Sequence, residues 1–122
     1  MISDVFCKII KGELPSDIVY QDNDFLVIKD INPQAPVHLL IIPKKHYTSL
    51  EDFMDPERGR EGGDLELLGK ALVVAHKISH AQGLADKGYR LIINEGEYGG
   101  KLVPHLHIHL LGGKRLGPKL VK

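Results

Sequence analysis

The spacing of apolar residues predicts two helices and five strands. Val5, Phe6, Ile9 and Ile10 follow helical spacing after Ser3 and Asp4, either of which can cap a short helix that runs to Lys11. Gly12 is its stop signal. Residues 17–21 and 25–31 read as strands joined by Asp22-Asn23-Asp24, which is hairpin turn chemistry. Pro33 and Pro36 break the chain before a third strand, residues 37–42, which Pro43 ends. Pro, Gly and charge mixed over residues 54–64 predict a mobile surface loop. Residues 65–82 form the main helix, with Leu67, Leu68, Ala71, Leu72, Val74, Ala75 and Ile78 on one broad apolar side. Glu66, Lys70, His76, Lys77 and His80 fall on the other side, with Val73 placed among them, and Gly83 ends the helix. Residues 89–94 and 105–111 are the last two strands, separated by a loop over 95–104. Five strands and two helices outside strict βα order predict an α+β domain with a mainly antiparallel sheet.

Composition narrows the class. At 122 residues the chain is one compact domain, residues 1–122, with no room for two ordinary ones. Hydrophobic residues at 43% and charged residues at 26% exclude a disordered tail and a membrane span. Sixteen basic residues balance sixteen acidic ones, so the footprint of a general nucleic-acid binder is missing. Cys7 is the one cysteine, which excludes an internal disulfide and fits a reducing compartment. The N-terminal residues lack the charged and apolar regions of a signal peptide, and the longest apolar runs are too short for a bilayer. These features predict a soluble cytoplasmic protein with no membrane partner.

The chemistry concentrates in histidine. Of seven histidines, three fall in His105-Leu106-His107-Ile108-His109. Strand alternation places His105, His107 and His109 on one face and Leu106, Ile108 and Leu110 on the other. Such a row serves as a polar surface stripe, as a metal site with His38 as a fourth ligand, or as a source of a nucleophilic imidazole. The absence of partner cysteines weakens the metal alternative. Just upstream, Gly99-Gly100 lets backbone N–H groups approach an anion such as phosphate, which favours nucleophilic attack at phosphorus. Asn94 offers donor and acceptor atoms at the end of its strand, or simply starts a turn. His38 shares a strand face with Leu40 and Ile42 and is expected to be buried. His46 is expected in a solvated loop, and His76 and His80 on a solvated helix face.

The run from His105 to Leu111 carries the His-φ-His-φ-His-φ-φ signature, where φ is apolar, and resembles the histidine triad (HIT) superfamily. Asp30-Ile31-Asn32-Pro33-Gln34-Ala35-Pro36-Val37-His38, Ile42-Pro43-Lys44-Lys45-His46, Gly88-Tyr89-Arg90, Asn94-Glu95-Gly96 and the opening Phe6 to Pro15 are similar to its nucleotide-binding branch, and the tail from Leu111 to Pro118 to bacterial members. The resemblance implies a homodimer with a continuous ten-stranded sheet and the long helices near the two-fold axis. It implies hydrolysis of purine nucleoside phosphoramidates to a nucleoside monophosphate and an amine, with acyl-adenylates as further substrates and no cofactor. A nucleotide-binding regulatory module is the alternative.

Carried over by position, the resemblance makes His107 the nucleophile, held by a backbone carbonyl at His105, with His109 on a phosphate oxygen and His38 completing the network. It places Asp30 on the ribose hydroxyls and Ile31 against sugar or base. Val5, Phe6, Ile9 and Leu14 line a purine slot, while Asn94 and the backbone of Gly100, Lys101 and Leu102 surround the phosphate and leaving group. His109 stands where the nucleotide-transferring branch typically has Gln, which argues against that branch. Leu102 departs from a commonly found Ser that can hydrogen-bond near the leaving amine.

Overall fold

In the computed structural model, residues 4–55, 57 and 64–118 are described. Ser3 and most of the expected 54–64 loop lie outside them. Helix α1 spans Val5–Ile10, with Asp4 as its cap: the carboxylate accepts the Cys7 N–H at 2.8 Å. Strands β1 (Ile18–Gln21) and β2 (Phe25–Lys29) form the expected hairpin. Its turn is closed by the Asp22 carboxylate, which accepts N–H groups from Asp24 at 2.8 Å and Phe25 at 2.7 Å. Strand β3 spans Val37–Pro43, helix α2 Leu65–Ala81, and strands β4 and β5 Arg90–Ile92 and Ile108–Gly112.

The five strands make one sheet in the order β1-β2-β3-β5-β4, with every neighbouring pair antiparallel. Its central β3 is apolar on both sides because both sides are covered. Phe25, Val27, Leu39, Ile41, Ile108 and Leu110 face α2, which contributes Ala71, Val74, Ala75 and Ile78. On the opposite side Leu26, Ile28, Leu40 and Ile42 pack against Phe6 of α1. That second side also carries His38 and His109, since strand alternation puts them level with Leu40. No described helix is long and apolar enough to cross a membrane.

Three expectations need correction. A 3-10 turn over Leu50–Met54 has no counterpart in the apolar pattern, because it is built on one aromatic pair: Phe53 stacks on Tyr47 with ring centroids 4.0 Å apart. Leu72 was expected on the buried side of the main helix, yet it is half-exposed beside Val73. The 100° stripe is broader than the part that the sheet covers, and Leu72 sits on its margin. The last strand starts at Ile108 and not at His105. Pro104 has no N–H to give a ladder and restricts Val103 before it, so pairing begins only after the chain has turned back. The residues from His105 to Ile108 are accordingly all buried and do not alternate.

Ile41 is wholly buried at the centre of the larger core. Ile41→Ala is expected to lower the free energy of unfolding by about 2–5 kcal/mol. Denaturant titration checks this, and a loss under about 1 kcal/mol would contradict the packing described.

Candidate active site

Register brings the first pair of histidines together. Leu40 on β3 lies opposite His109 on β5, so His38, two residues before Leu40, is the diagonal neighbour of His109 on one face. Their rings meet through His38 Nε2 and His109 Nδ1 at 2.9 Å. The Gln34 backbone N–H donates to His38 Nδ1 at 3.0 Å, so the His38 proton must sit on Nε2. From there it faces His109 Nδ1 and, at 3.3 Å, a carboxylate oxygen of Asp30. His109 then accepts at Nδ1 and carries its own proton on Nε2.

His107 is fixed in the opposite sense. Its Nδ1 lies 2.8 Å from the backbone oxygen of His105, which can only accept, so Nδ1 carries the proton and Nε2 keeps its lone pair. Phe6 stands edge-on to this ring at 4.9 Å and the His109 ring follows at 5.0 Å. The pair therefore sets one bare ring nitrogen beside one N–H donor.

Burial favours the neutral form of His107 and His109. It lowers the pKa of His107, opposed by the bond to the His105 carbonyl and reinforced by the nearby Lys101 charge. His109 is pushed down to about 4, by burial first and then by His107 and His38. His105 is also lowered by burial, against the pull of Pro43 and Asp4.

His105 does not join the row predicted for it. It is fully buried behind His107, with Nε2 donating to the Pro43 carbonyl at 2.9 Å and Nδ1 at 3.2 Å from an Asp4 carboxylate oxygen. The same Asp4 oxygen lies 3.0 Å from His46 Nε2, and Cys7 Sγ is 3.6 Å from His105 Nδ1. His46 is thus no solvated loop residue: its ring packs edge-on against His105 at 4.8 Å. Sequence reasoning gave Asp4 only a capping role and missed His46. The one signal was an acidic cap three residues before Cys7, which does not say what its second oxygen meets. His76 and His80 stay on the exposed face of α2, as expected.

Among the described residues, two groups have donor atoms within 4.8 Å of one another, as a cation would require: Asp4, Cys7, His46 and His105, and Asp30, His38 and His109. Each of these side chains also has a protein contact that satisfies it, so the clusters close through hydrogen bonds.

The loop after β4 closes the other side. Asn94 follows β4 two residues past Ile92, which faces His109. Asn94 Nδ2 donates to the Gly99 carbonyl at 2.7 Å. Gly99 tolerates no side chain, because a Cβ would fall 2.2 Å from the Glu95 carbonyl oxygen, and Gly100 has a φ of 80°. Lys101 turns away from the mouth, its ammonium donating to the Thr48 carbonyl and lying 3.6 Å from the Glu95 carboxylate. Leu102 lines a groove of about 440 Å³ with Gly96, Glu97, Gly100, Lys101 and Pro104. Asp30 is partly buried, its other oxygen accepting the Asn32 N–H at 2.8 Å, and Ile31 projects into solvent. Of the expected apolar slot, Phe6 is buried and Ile9 partly so, while Val5 and Leu14 are exposed.

A model of the HIT domain matches residues 11–116. The chain belongs to the HIT family. It is 46% identical over 116 residues to the purine nucleoside phosphoramidase of Escherichia coli K12, covering 95% of this chain and 92% of that one. Among solved structures, a HIT family hydrolase from Clostridium thermocellum matches with a TM-score of 0.87 at 46% identity, covering 99% of both chains. A histidine triad protein from Clostridium difficile matches with a TM-score of 0.87 at 41% identity, covering 98% of this chain and 97% of that one. Likeness of this extent supports a hydrolase of the HIT family and its α+β fold.

The ring titrations are directly measurable. His109 is expected to titrate at about 4 and His107 below 6.5. Both are then neutral at pH 7 and gain a proton only as pH falls through those values. NMR titration of the imidazole signals checks this, and a pKa of 6.5 or above for either would contradict the geometry.

Proposed function

We propose that this HIT protein hydrolyses purine nucleoside phosphoramidates, and the observation that carries the proposal is the His107 ring, neutral, with Nδ1–H tied to the His105 carbonyl and Nε2 bare. A neutral imidazole with a lone pair at the site mouth is a nucleophile for phosphorus. Nε2 attacks the α-phosphorus, the P–N bond breaks, and the amine departs with a proton taken from solvent, which the later attack of water returns. Water then attacks the nucleotidyl-histidine, releasing the nucleoside monophosphate and restoring the ring. His109, protonated at Nε2, donates to a phosphate oxygen and supports the charge that develops there. His38 holds His109 in that tautomer, and His105 holds His107. The activity printed for the Escherichia coli relative supports the same reading.

In this reading Asp30 takes the ribose hydroxyls, and Ile31, Val5, Phe6, Ile9 and Leu14 border the purine. Asn94, Gly100, Lys101 and Leu102 surround the phosphate and the leaving group. Acyl-adenylates present the same α-phosphorus and are further substrates. The whole chain acts as one domain, in the cytoplasm, without a cofactor. A homodimer is part of the proposal: Leu65, Leu72 and Val73 leave apolar surface exposed on α2, and β4 has an unpaired outer edge in the described sheet.

Brief mixing with an adenosine phosphoramidate is expected to add the mass of one AMP moiety to the wild-type chain at His107, seen by intact-protein mass spectrometry. His107→Ala is expected to show no adduct and to lose turnover by about a thousandfold or more. Turnover surviving in that variant would place the chemistry elsewhere. Tight AMP binding with neither adduct nor turnover would turn the assignment to a regulatory nucleotide-binding module.

Leu102 cannot donate a hydrogen bond to a leaving amine. Leu102→Ser is expected to change kcat/KM several-fold, and differently for different amines, since a hydrogen bond made only in the transition state is worth on the order of 1 kcal/mol. Unchanged kinetics across a series of amine leaving groups would remove Leu102 from leaving-group recognition.

A further inference from the structure

Residues 103–107 carry the carbonyl that sets the His107 tautomer, yet they lie before the first ladder bond of β5. Other contacts have to fix them. The Leu106 N–H donates to the Tyr47 carbonyl at 2.6 Å, and the His105 ring is held from two sides. Pro43, at the end of β3, accepts from its Nε2, and Asp4, at the start of α1, meets its Nδ1. With the Nε2 proton committed to Pro43, a second proton must be shared between Asp4 and His105 Nδ1, since two lone pairs would otherwise face each other at 3.2 Å.

The two oxygens of Asp4 divide the work. Oδ1 accepts the Cys7 N–H and caps α1; Oδ2 faces His46 Nε2 and His105 Nδ1. Capping needs only one oxygen, and a neutral Ser or Thr supplies it. A carboxylate whose side chain is 4% exposed carries a desolvation cost that capping alone does not require. Its second oxygen joins three segments distant in sequence: the start of α1, the exit of β3 at His46, and the stretch before β5.

We propose that Asp4 is a positioning residue for His107, acting through His105. By clamping the His105 ring, it holds the His105 carbonyl on the Nδ1–H of His107, so that the Nε2 lone pair always faces the mouth. Without the clamp the carbonyl is free to shift, and the tautomer with its proton on Nε2, which has no lone pair to offer there, becomes populated. The inference rests on the proposed phosphoramidase reading for its kinetic consequence and on geometry alone for its tautomeric one.

The test compares the wild type with Asp4→Ser, which keeps the cap but cannot reach both imidazoles, and with Asp4→Asn, which keeps the cap on its one oxygen and offers an amide N–H to His105 Nδ1 in place of the shared proton. For Asp4→Ser, kcat with an adenosine phosphoramidate is expected to fall tenfold or more, with AMP affinity within twofold of wild type. The ¹⁵N signals of His107 are expected to move from a pure Nδ1–H pattern towards a mixture. Asp4→Asn is expected to recover most of the lost kcat. If Asp4→Ser does not fold, Asp4→Thr, a second neutral cap, is read in the same way. Wild-type kcat and an unchanged His107 spectrum in the Ser or Thr variant would overturn the proposal and leave Asp4 a cap. If the wild type itself fails to turn over the phosphoramidate, the functional reading falls, while the spectra still decide the role of Asp4.

Discussion

A neutral imidazole has two nitrogens and one proton, and the chemistry of this site depends on where that proton sits in successive rings. Each ring is decided by a group that cannot change its role. The Gln34 N–H can only donate, so His38 is protonated on the far nitrogen and His109 on the nitrogen beyond that. The His105 carbonyl can only accept, so His107 is protonated on the near side and bare on the far one. Two adjacent rings thus end with opposite functions, one lone pair and one N–H, although their side chains are identical. Burial completes the arrangement, because a charged imidazole would carry protons on both nitrogens and erase the distinction.

The sheet exists in the form that these bonds demand. His38 and His109 meet only because β3 and β5 pair antiparallel with Leu40 opposite His109; a slip of one residue would put one of them among the core residues under α2. The register is in turn held by apolar residues on both faces of β3, so packing and proton placement are two consequences of one alignment. Asp30 belongs to the same alignment: its N–H donates to the His38 carbonyl at 3.0 Å as β2 leaves the sheet, which brings its carboxylate to the His38 ring.

Much of this was legible in the sequence, for physical reasons. The helices, the hairpin and strand β3 have strong periodicity and firm stop signals at Gly12, Pro43 and Gly83, so their places follow from local chemistry. The burial of His38 followed from alternation alone. What escaped was set by contacts distant in the chain. Nothing near His46 shows that it will pack against His105 and meet Asp4, and nothing in residues 50–54 shows that Phe53 will stack on Tyr47. The half-exposure of Leu72 depends on how far the sheet extends beneath α2, which no helical wheel contains.

The most instructive departure is at the triad itself. A regular strand from His105 onward would have set three imidazoles on one face at roughly 6.6 Å intervals, in similar surroundings and with similar basicity. Pro104 delays the ladder, and the delay makes the three different. His105 is pulled wholly inside, between Pro43 and Asp4, and its backbone becomes an acceptor where a strand would have committed that carbonyl to a neighbour. His107 takes that acceptor and is left with a free lone pair, while His109, already in the ladder, answers to β3 instead. Three copies of one side chain acquire three environments because the strand begins three residues late. The same irregularity leaves residues 103–107 without ladder bonds, which is why a buried carboxylate at the far end of the chain has a position to hold.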